Sequence, residues 1–238
     1  MKKNVILLFV WIIPLILAAL GLVLNPNSFF VNGTILLGWI LFAIQLSWNQ
    51  SEMFYLKAKS IWFLIKNPDC IWNLNVEFTG QFDENIFSKL DNIFSSQPGD
   101  FKVIPLSNTR KIYKINTLSY EIKVNHNEIS LHLYDLEISY RRSKKIIENE
   151  LGKLLEELSK TLKEDRSEYF LNINFKEYNP YFGFFVRRLN SREINSFNVK
   201  LNINSDKVTI SKNSIEIYTD SLQKLNTISK DYLTLSPR

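Results

Sequence analysis

Cysteine and histidine are scarce in this chain of 238 residues, which contains one cysteine, Cys70, and two histidines, His126 and His132. A single cysteine excludes an internal disulfide and a cysteine-rich metal site. Two histidines with no evident third ligand are weak evidence for zinc. We therefore predict no metal site and no cofactor.

Glycine is also rare, and seven glycines leave little room for loops that cradle phosphate groups. The sequence contains neither a Walker-type Gly-Lys loop nor a Gly-x-Ser-x-Gly elbow. Acidic residues such as Glu156 lie four positions from lysines such as Lys160, which is typical of an exposed helix face. These absences predict that the protein is not an enzyme.

Basic residues give the chain only a small excess of positive charge. The net charge is +5, and Lys2 and Lys3 contribute two of these charges ahead of the first apolar run. Nucleic-acid binding usually requires a concentrated basic face. We therefore expect no DNA partner.

What the sequence does contain is an apolar N-terminal part. Residues 5–24 carry no charge, and about twenty such residues cross a hydrocarbon layer of roughly 30 Å. A second apolar stretch, residues 29–48, follows a short polar turn. The sequence therefore predicts that residues 1–50 form a two-helix transmembrane hairpin in a lipid bilayer. The alternative is a cleaved signal peptide, because Lys2 and Lys3 before an apolar run also fit that pattern.

Basic residues flank both ends of this predicted hairpin, whereas the turn between its helices has none. The flanking basic residues are Lys2, Lys3, Lys57, Lys59 and Lys66. By the positive-inside rule, we predict a multi-pass protein of the cell membrane with both termini cytoplasmic. Residues 51–69 then form a helix and linker. Its aromatic residues lie along the membrane interface or, as an equal alternative, pack against the domain that follows.

The remainder of the chain resembles an internal duplication, with units at 70–166 and 167–238. The first strand and the last helix of each unit correspond, 72–78 with 169–175 and 143–163 with 220–233. About twenty extra residues in the first unit, around 97–117, contain Pro98, Gly99 and Pro105 and are interpreted as a loop.

The predicted fold class is therefore membrane-anchored α+β, a transmembrane hairpin plus a soluble antiparallel-sheet domain. Two similar β-α-β-β-β-α units build that domain, in a topology similar to the TATA-box-binding protein fold. One sheet face would stay open, either to bind a ligand or to face water. Its predicted polar positions include Lys123, Asn125, Lys200, Asn202 and Asn204.

One segment, residues 178–189, has five aromatic residues followed by two arginines. Aromatic rings stack on bases and guanidinium groups pair with phosphates. A second basic cluster opens the long helix at 143–163, where the helix dipole does not favour cations. The candidate ligand-binding residues are Tyr181, Phe182, Arg187, Arg188, Arg141 and Arg142. The alternative for 178–189 is a core helix with a basic C-terminal end.

This layout resembles the small two-transmembrane, β-rich membrane effectors of bacterial cyclic-nucleotide anti-phage systems. The resemblance covers the whole chain but rests on no motif, so it transfers no residue. It implies a cyclic-nucleotide ligand, a homo-oligomer, and membrane disruption by assembled hairpins. The alternative function is a membrane-tethered scaffold or assembly subunit that binds a protein partner, with no ligand and no pore.

Overall fold

The computed structural model describes residues 2–24, 29–83, 85–176, 179–186, 189, 193–203 and 206–234. The helices are α1 Lys2–Leu24, α2 Phe29–Gln50, α3 Glu52–Lys66, α4 Ile86–Ser96, α5 Tyr140–Lys145, α6 Gly152–Leu162, α7 Pro180–Val186 and α8 Leu222–Thr234. A π-helical segment, Ile146–Leu151, joins α5 to α6. The strands are β1 Asp69–Thr79, β2 Phe101–Ser107, β3 Arg110–Ile115, β4 Leu118–Asn125, β5 Glu128–Ser139, β6 Arg166–Phe175, β7 Asn198–Ile203, β8 Asp206–Ser211 and β9 Ser214–Thr219.

The nine strands of the described residues belong to one antiparallel sheet, in the order β2-β3-β4-β5-β1-β6-β9-β8-β7. The central pair is β1 with β6, and Leu74 lies opposite Leu171. After α3 the chain runs β-α-β-β-β-β-α and then β-α-β-β-β-α. The first strands of these two halves therefore lie side by side at the centre of the sheet.

Period-two alternation gives the sheet one apolar face. Along β1 the buried residues are Cys70, Trp72, Leu74, Val76 and Phe78, and the positions between them are only half-buried. Amphipathic helices cover this face. Their apolar residues recur at helical spacing and are buried in the same core, as for Leu90 and Phe94 on α4 and Leu154 and Leu158 on α6. The opposite face carries the polar positions, and Lys123, Asn125, Lys200 and Asn202 are exposed. Asn204 lies outside the described residues.

The predicted transmembrane hairpin over residues 1–50 is wrong. None of the helices in the described part of the chain combines the length and the apolar character that crossing a bilayer requires. The helix α1 begins with two lysines. Ser47 of α2 forms a specific polar contact with α1, because its Oγ accepts a hydrogen bond from Trp11 Nε1 at 3.0 Å. The predictions of a membrane-anchored fold class and of a multi-pass membrane localisation are wrong for the same reason. The described fold is α+β with a large antiparallel sheet.

The predicted loop at 97–117 is also wrong, because these residues contribute β2 and β3. Val103 pairs with Tyr113, and the two strands are antiparallel from Phe101 opposite Ile115 to Ser107 opposite Arg110. Pro105 is compatible with β2 because β2 is an edge strand, where a missing N–H donor costs no ladder bond. The first half therefore has four strands after its short helix, whereas the predicted unit has three.

The aromatic side of α3 packs on the domain. Tyr55, Leu56 and Phe63 are buried in the common core. The ring of Phe63 makes an edge contact with Tyr140, with centroids 5.2 Å apart. Of the two interpretations of this segment, packing against the domain is the one observed. Trp62 is nevertheless 47% exposed and forms part of the site described next.

Candidate ligand-binding site

A pocket of about 430 Å³ lies between α3 and α7, within the size range of small-molecule sites. Its lining residues are Tyr55, Lys59, Trp62, Phe63, Lys176, Asn179, Pro180, Gly183 and Asn213. The lining thus combines aromatic rings with two lysine side chains. Aromatic walls with a few polar groups are the usual composition of a ligand site.

Helical spacing brings the α3 side of the pocket together. Tyr55, Lys59, Trp62 and Phe63 occupy positions i, i+4, i+7 and i+8, which share one face of a helix. The helix begins at a capped end, because Ser51 Oγ accepts a hydrogen bond from Phe54 N at 3.2 Å. This register is set by local sequence.

The C-terminal end of α3 is fixed by the start of α5. Asn67 terminates α3 in the left-handed conformation, with φ 47°. Arg141 Nε donates to Leu64 O at 2.6 Å, and Arg141 N donates to Asn67 Oδ1 at 3.0 Å. A guanidinium group at a helix C-terminus also interacts favourably with the helix dipole. Arg141 therefore holds α3 against the domain.

Asn179 and Gly183 set the α7 side of the pocket. Asn179 Oδ1 accepts from Phe182 N at 2.8 Å, while its Nδ2 donates to Ser214 O at 3.2 Å. A Cβ atom on Gly183 would lie 2.6 Å from the Tyr55 hydroxyl oxygen. Glycine at this position therefore allows α7 to approach α3 closely.

Lys59 places positive charge beside aromatic rings, whereas Lys176 is paired with carboxylates. Lys59 Nζ lies 6.0 Å from the centroid of the Trp48 ring and 5.9 Å from that of Tyr55, within cation–π range. Lys176 Nζ donates to Glu137 and lies 3.6 Å from Asp69. The hydrogen bond to Glu137 raises the pKa of Lys176, so this ammonium group stays protonated at neutral pH.

The structure places Tyr181 and Phe182 in the core. Tyr181 is 8% exposed and makes an edge contact with Tyr232, at a centroid distance of 5.0 Å. Phe182 is fully buried and contacts Phe197 at the same distance. Both rings therefore pack on protein in this structure, as in the core-helix alternative, although their neighbours Pro180 and Gly183 line the pocket.

The structure does not bring the predicted arginines together. Arg141 contacts the end of α3, whereas Arg142 Nη2 donates to Thr117 Oγ1 at 3.5 Å, in the turn between β3 and β4. Arg187 and Arg188 lie outside the described residues. Ligand binding by the six residues singled out in the sequence stays a prediction.

Sequence reasoning missed Lys59, Trp62 and Lys176 as members of one site. A signal for the first two exists in the i, i+3 spacing of Lys59 and Trp62 on the helix face that also carries Tyr55. Lys176 has no local signal, because only the pairing of β6 with β1 brings the end of β6 beside Asp69.

Comparison of the chain with protein-family models and with curated proteins gave no match. The function must therefore be argued from the site itself.

Proposed function

We propose that the protein senses a small ligand and responds by changing its assembly. The ligand would be an aromatic anion of the nucleotide class, bound in the pocket between α3 and α7. The observation that carries this proposal is the pocket lining, in which the half-exposed ring of Trp62 and the side chains of Lys59 and Lys176 line one cavity.

The chemistry of the lining fits both parts of a nucleotide. A base gains about 1–3 kcal/mol by stacking on an aromatic side chain. A phosphate group pairs with lysine ammonium groups as point charges. Cyclic nucleotides are one group within this class to test, because each joins a base to a phosphate.

The pocket is connected to the N-terminal helices through α3. Trp48, near the end of α2, contacts Tyr55 at a centroid distance of 4.7 Å, and Tyr55 lines the pocket. A ligand that displaced Tyr55 or α3 would therefore act on the end of α2. It would shift assembly only if it bound the assembled and separate states with different affinity.

The helix pair α1 and α2 supplies the proposed assembly surface. Residues 4–51 contain no charged residue, and many large apolar side chains on both helices are exposed. They include Leu8, Phe9, Leu15, Leu17, Ile35, Leu37 and Leu41, each at least 55% exposed. Large exposed apolar patches are uncommon on isolated proteins and mark interaction sites. We propose that further copies of the chain cover this surface. Membrane disruption rested on the corrected spanning helices and is not part of the proposal.

A scaffold or assembly subunit with no small ligand is the second candidate. The same exposed helix pair favours it, because assembly needs no pocket. The two functions differ in one respect, which is whether a nucleotide binds the pocket residues.

Binding to the full chain separates them. We expect one member of a panel of cyclic mono- and dinucleotides to raise the melting temperature and to bind in titration calorimetry. Lys59→Ala should weaken that binding at least tenfold, because it removes an ammonium group from the pocket. Lys57→Ala is the matched control, since Lys57 is exposed on the same helix and lies outside the pocket lining. A panel without any shift, or equal losses in both variants, would contradict the ligand proposal.

A further inference from the structure

The sheet face opposite the core has a segregated charge pattern. On the four central strands, acidic side chains outnumber basic ones. The acidic residues there are Asp69, Glu77, Glu128, Glu137, Glu168 and Glu216, against Arg166, with Lys176 directly after the end of β6. The outer strands carry mainly basic residues on this face, Lys102, Arg110, Lys114, Lys123, Lys200 and Lys207.

The strand register defines a diagonal path across the acidic centre. Glu77 and Asn75 follow each other on one face of β1, and Asn75 lies opposite Phe170 of β6. Asn172 is the next residue on that face of β6 and lies opposite Glu216 of β9. The path thus runs between two carboxylates and passes one aromatic ring and two amides.

Two acceptors on this path lack a donor. Asn75 Oδ1 and Asn172 Oδ1 are buried atoms with no hydrogen-bond partner within the described chain. Leaving a buried polar atom unpaired costs free energy. Phe170 lies between them and is 37% exposed, although it is an aromatic residue in the middle of the sheet. The path therefore has unused acceptors, negative charge and an accessible ring face.

We propose that this diagonal path is a docking site for a short, extended segment of a partner protein with two cationic side chains. The carboxylates of Glu77 and Glu216 would each pair with one cation, and an arginine would stack on Phe170. Backbone N–H groups of the segment would supply donors to the two amides once these side chains turn outward. For Asn75 this turn would break the bond from its Nδ2 to Glu77 Oε1, now 3.1 Å long, and leave that carboxylate to the cation. The basic outer strands repel such a segment and restrict it to the centre.

The register also sets the length of the segment. With strands about 4.8 Å apart and about 3.3 Å per residue along a strand, Glu77 and Glu216 lie roughly 16 Å apart. An extended chain covers this distance in about five residues. Two arginines separated by three or four residues would therefore reach both carboxylates.

The test uses a fluorescent peptide with two arginines separated by three small polar residues, and the same peptide with glutamates in place of the arginines. The arginine peptide should bind the full chain, and raised salt should weaken it. The double variant Glu77→Gln with Glu216→Gln should weaken binding at least tenfold, and Phe170→Ala should weaken it severalfold. The control is Asp100→Asn with Glu156→Gln, which removes the same charge at two exposed positions away from the acidic centre and should leave affinity within twofold.

Circular dichroism of each variant shows whether the sheet is intact. Absence of arginine-peptide binding to the wild type would overturn the proposal. Equal weakening in the control would also overturn it, because any acidic surface would then suffice. Binding of a single-stranded oligonucleotide in preference to the peptide would assign this face to the basic outer strands instead. This inference is independent of the pocket and of its ligand.

Discussion

Tyr55 and Gly183 determine how closely α3 and α7 approach each other at the pocket. Tyr55 is 3% exposed and is held between Trp48 and Phe184, with centroids 4.7 and 5.6 Å away. Its hydroxyl therefore has little freedom to move. An added methyl group on Gly183 would meet it at 2.6 Å.

We expect Gly183→Ala to destabilise the protein by about 1–2 kcal/mol, because overpacking a buried contact forces neighbouring groups to shift. Urea unfolding measures this change. Gly38→Ala is the control, since nothing lies within 4 Å of a Cβ there. In a Tyr55→Phe background, Gly183→Ala should lower the free energy of unfolding clearly less, because the opposing hydroxyl group is absent. An equal cost in both backgrounds would show that this contact does not limit the approach of α7.

At the residue scale, the sequence did not predict where the candidate pocket lies. Stacking rings and basic groups were expected at 178–189, yet Tyr181 and Phe182 pack in the core. Aromatic residues in a short helix look the same in sequence whether they face a ligand or a core. Only the contacts of Phe182 with Phe197 and of Tyr181 with Tyr232 distinguish the two.

Among the elements, α3 links the N-terminal helices to the sheet domain, and Arg141 fixes its C-terminal end. The basic cluster at the start of α5 has no favourable interaction with the dipole of its own helix. The structure supplies a reason for one member, because Arg141 bonds a terminal carbonyl of the neighbouring helix α3.

Arg141→Ala should therefore loosen the last turn of α3. Losing a hydrogen bond from an exposed guanidinium group costs about 1 kcal/mol, which corresponds to about fivefold faster amide exchange where opening is local. Hydrogen exchange read by mass spectrometry over residues 60–67 measures it. Arg142→Ala is the matched neighbour, because Arg142 contacts Thr117 instead. Equal acceleration by both variants would argue against a specific role for Arg141.

Periodicity was a good guide to some elements and a poor one to others. Alternation located β1 and β6, and helical spacing located α6 and α8. The strands β2 and β3 were missed because Pro98, Gly99 and Pro105 indicate a loop and neither strand alternates regularly. The π-helical turn before Gly152 has no signal in the sequence. The structure shows why glycine is suited to position 152, because a Cβ on Gly152 would lie only 2.6 Å from Ile147 O.

For the whole molecule, the main error was to interpret uncharged length as a membrane span. The apolar residues of 5–24 and 29–48 do form helices, but none of the described helices meets the requirement for crossing a bilayer. The length of an uncharged segment does not show which polar side chains contact a neighbouring helix, as Ser47 of α2 contacts Trp11 of α1. The antiparallel sheet, by contrast, follows from alternation that repeats across both halves of the chain.

The most direct test of the account is the mass of the full chain in solution, measured by sedimentation with and without the nucleotide that raises its melting temperature. We predict that the nucleotide changes the number of copies in the assembly. Lys57→Ala should respond like the wild type, and Lys59→Ala should not respond at the same nucleotide concentration. A bound nucleotide that leaves the assembly mass unchanged, or an equal response in Lys59→Ala, would contradict the coupling between the pocket and the helix pair.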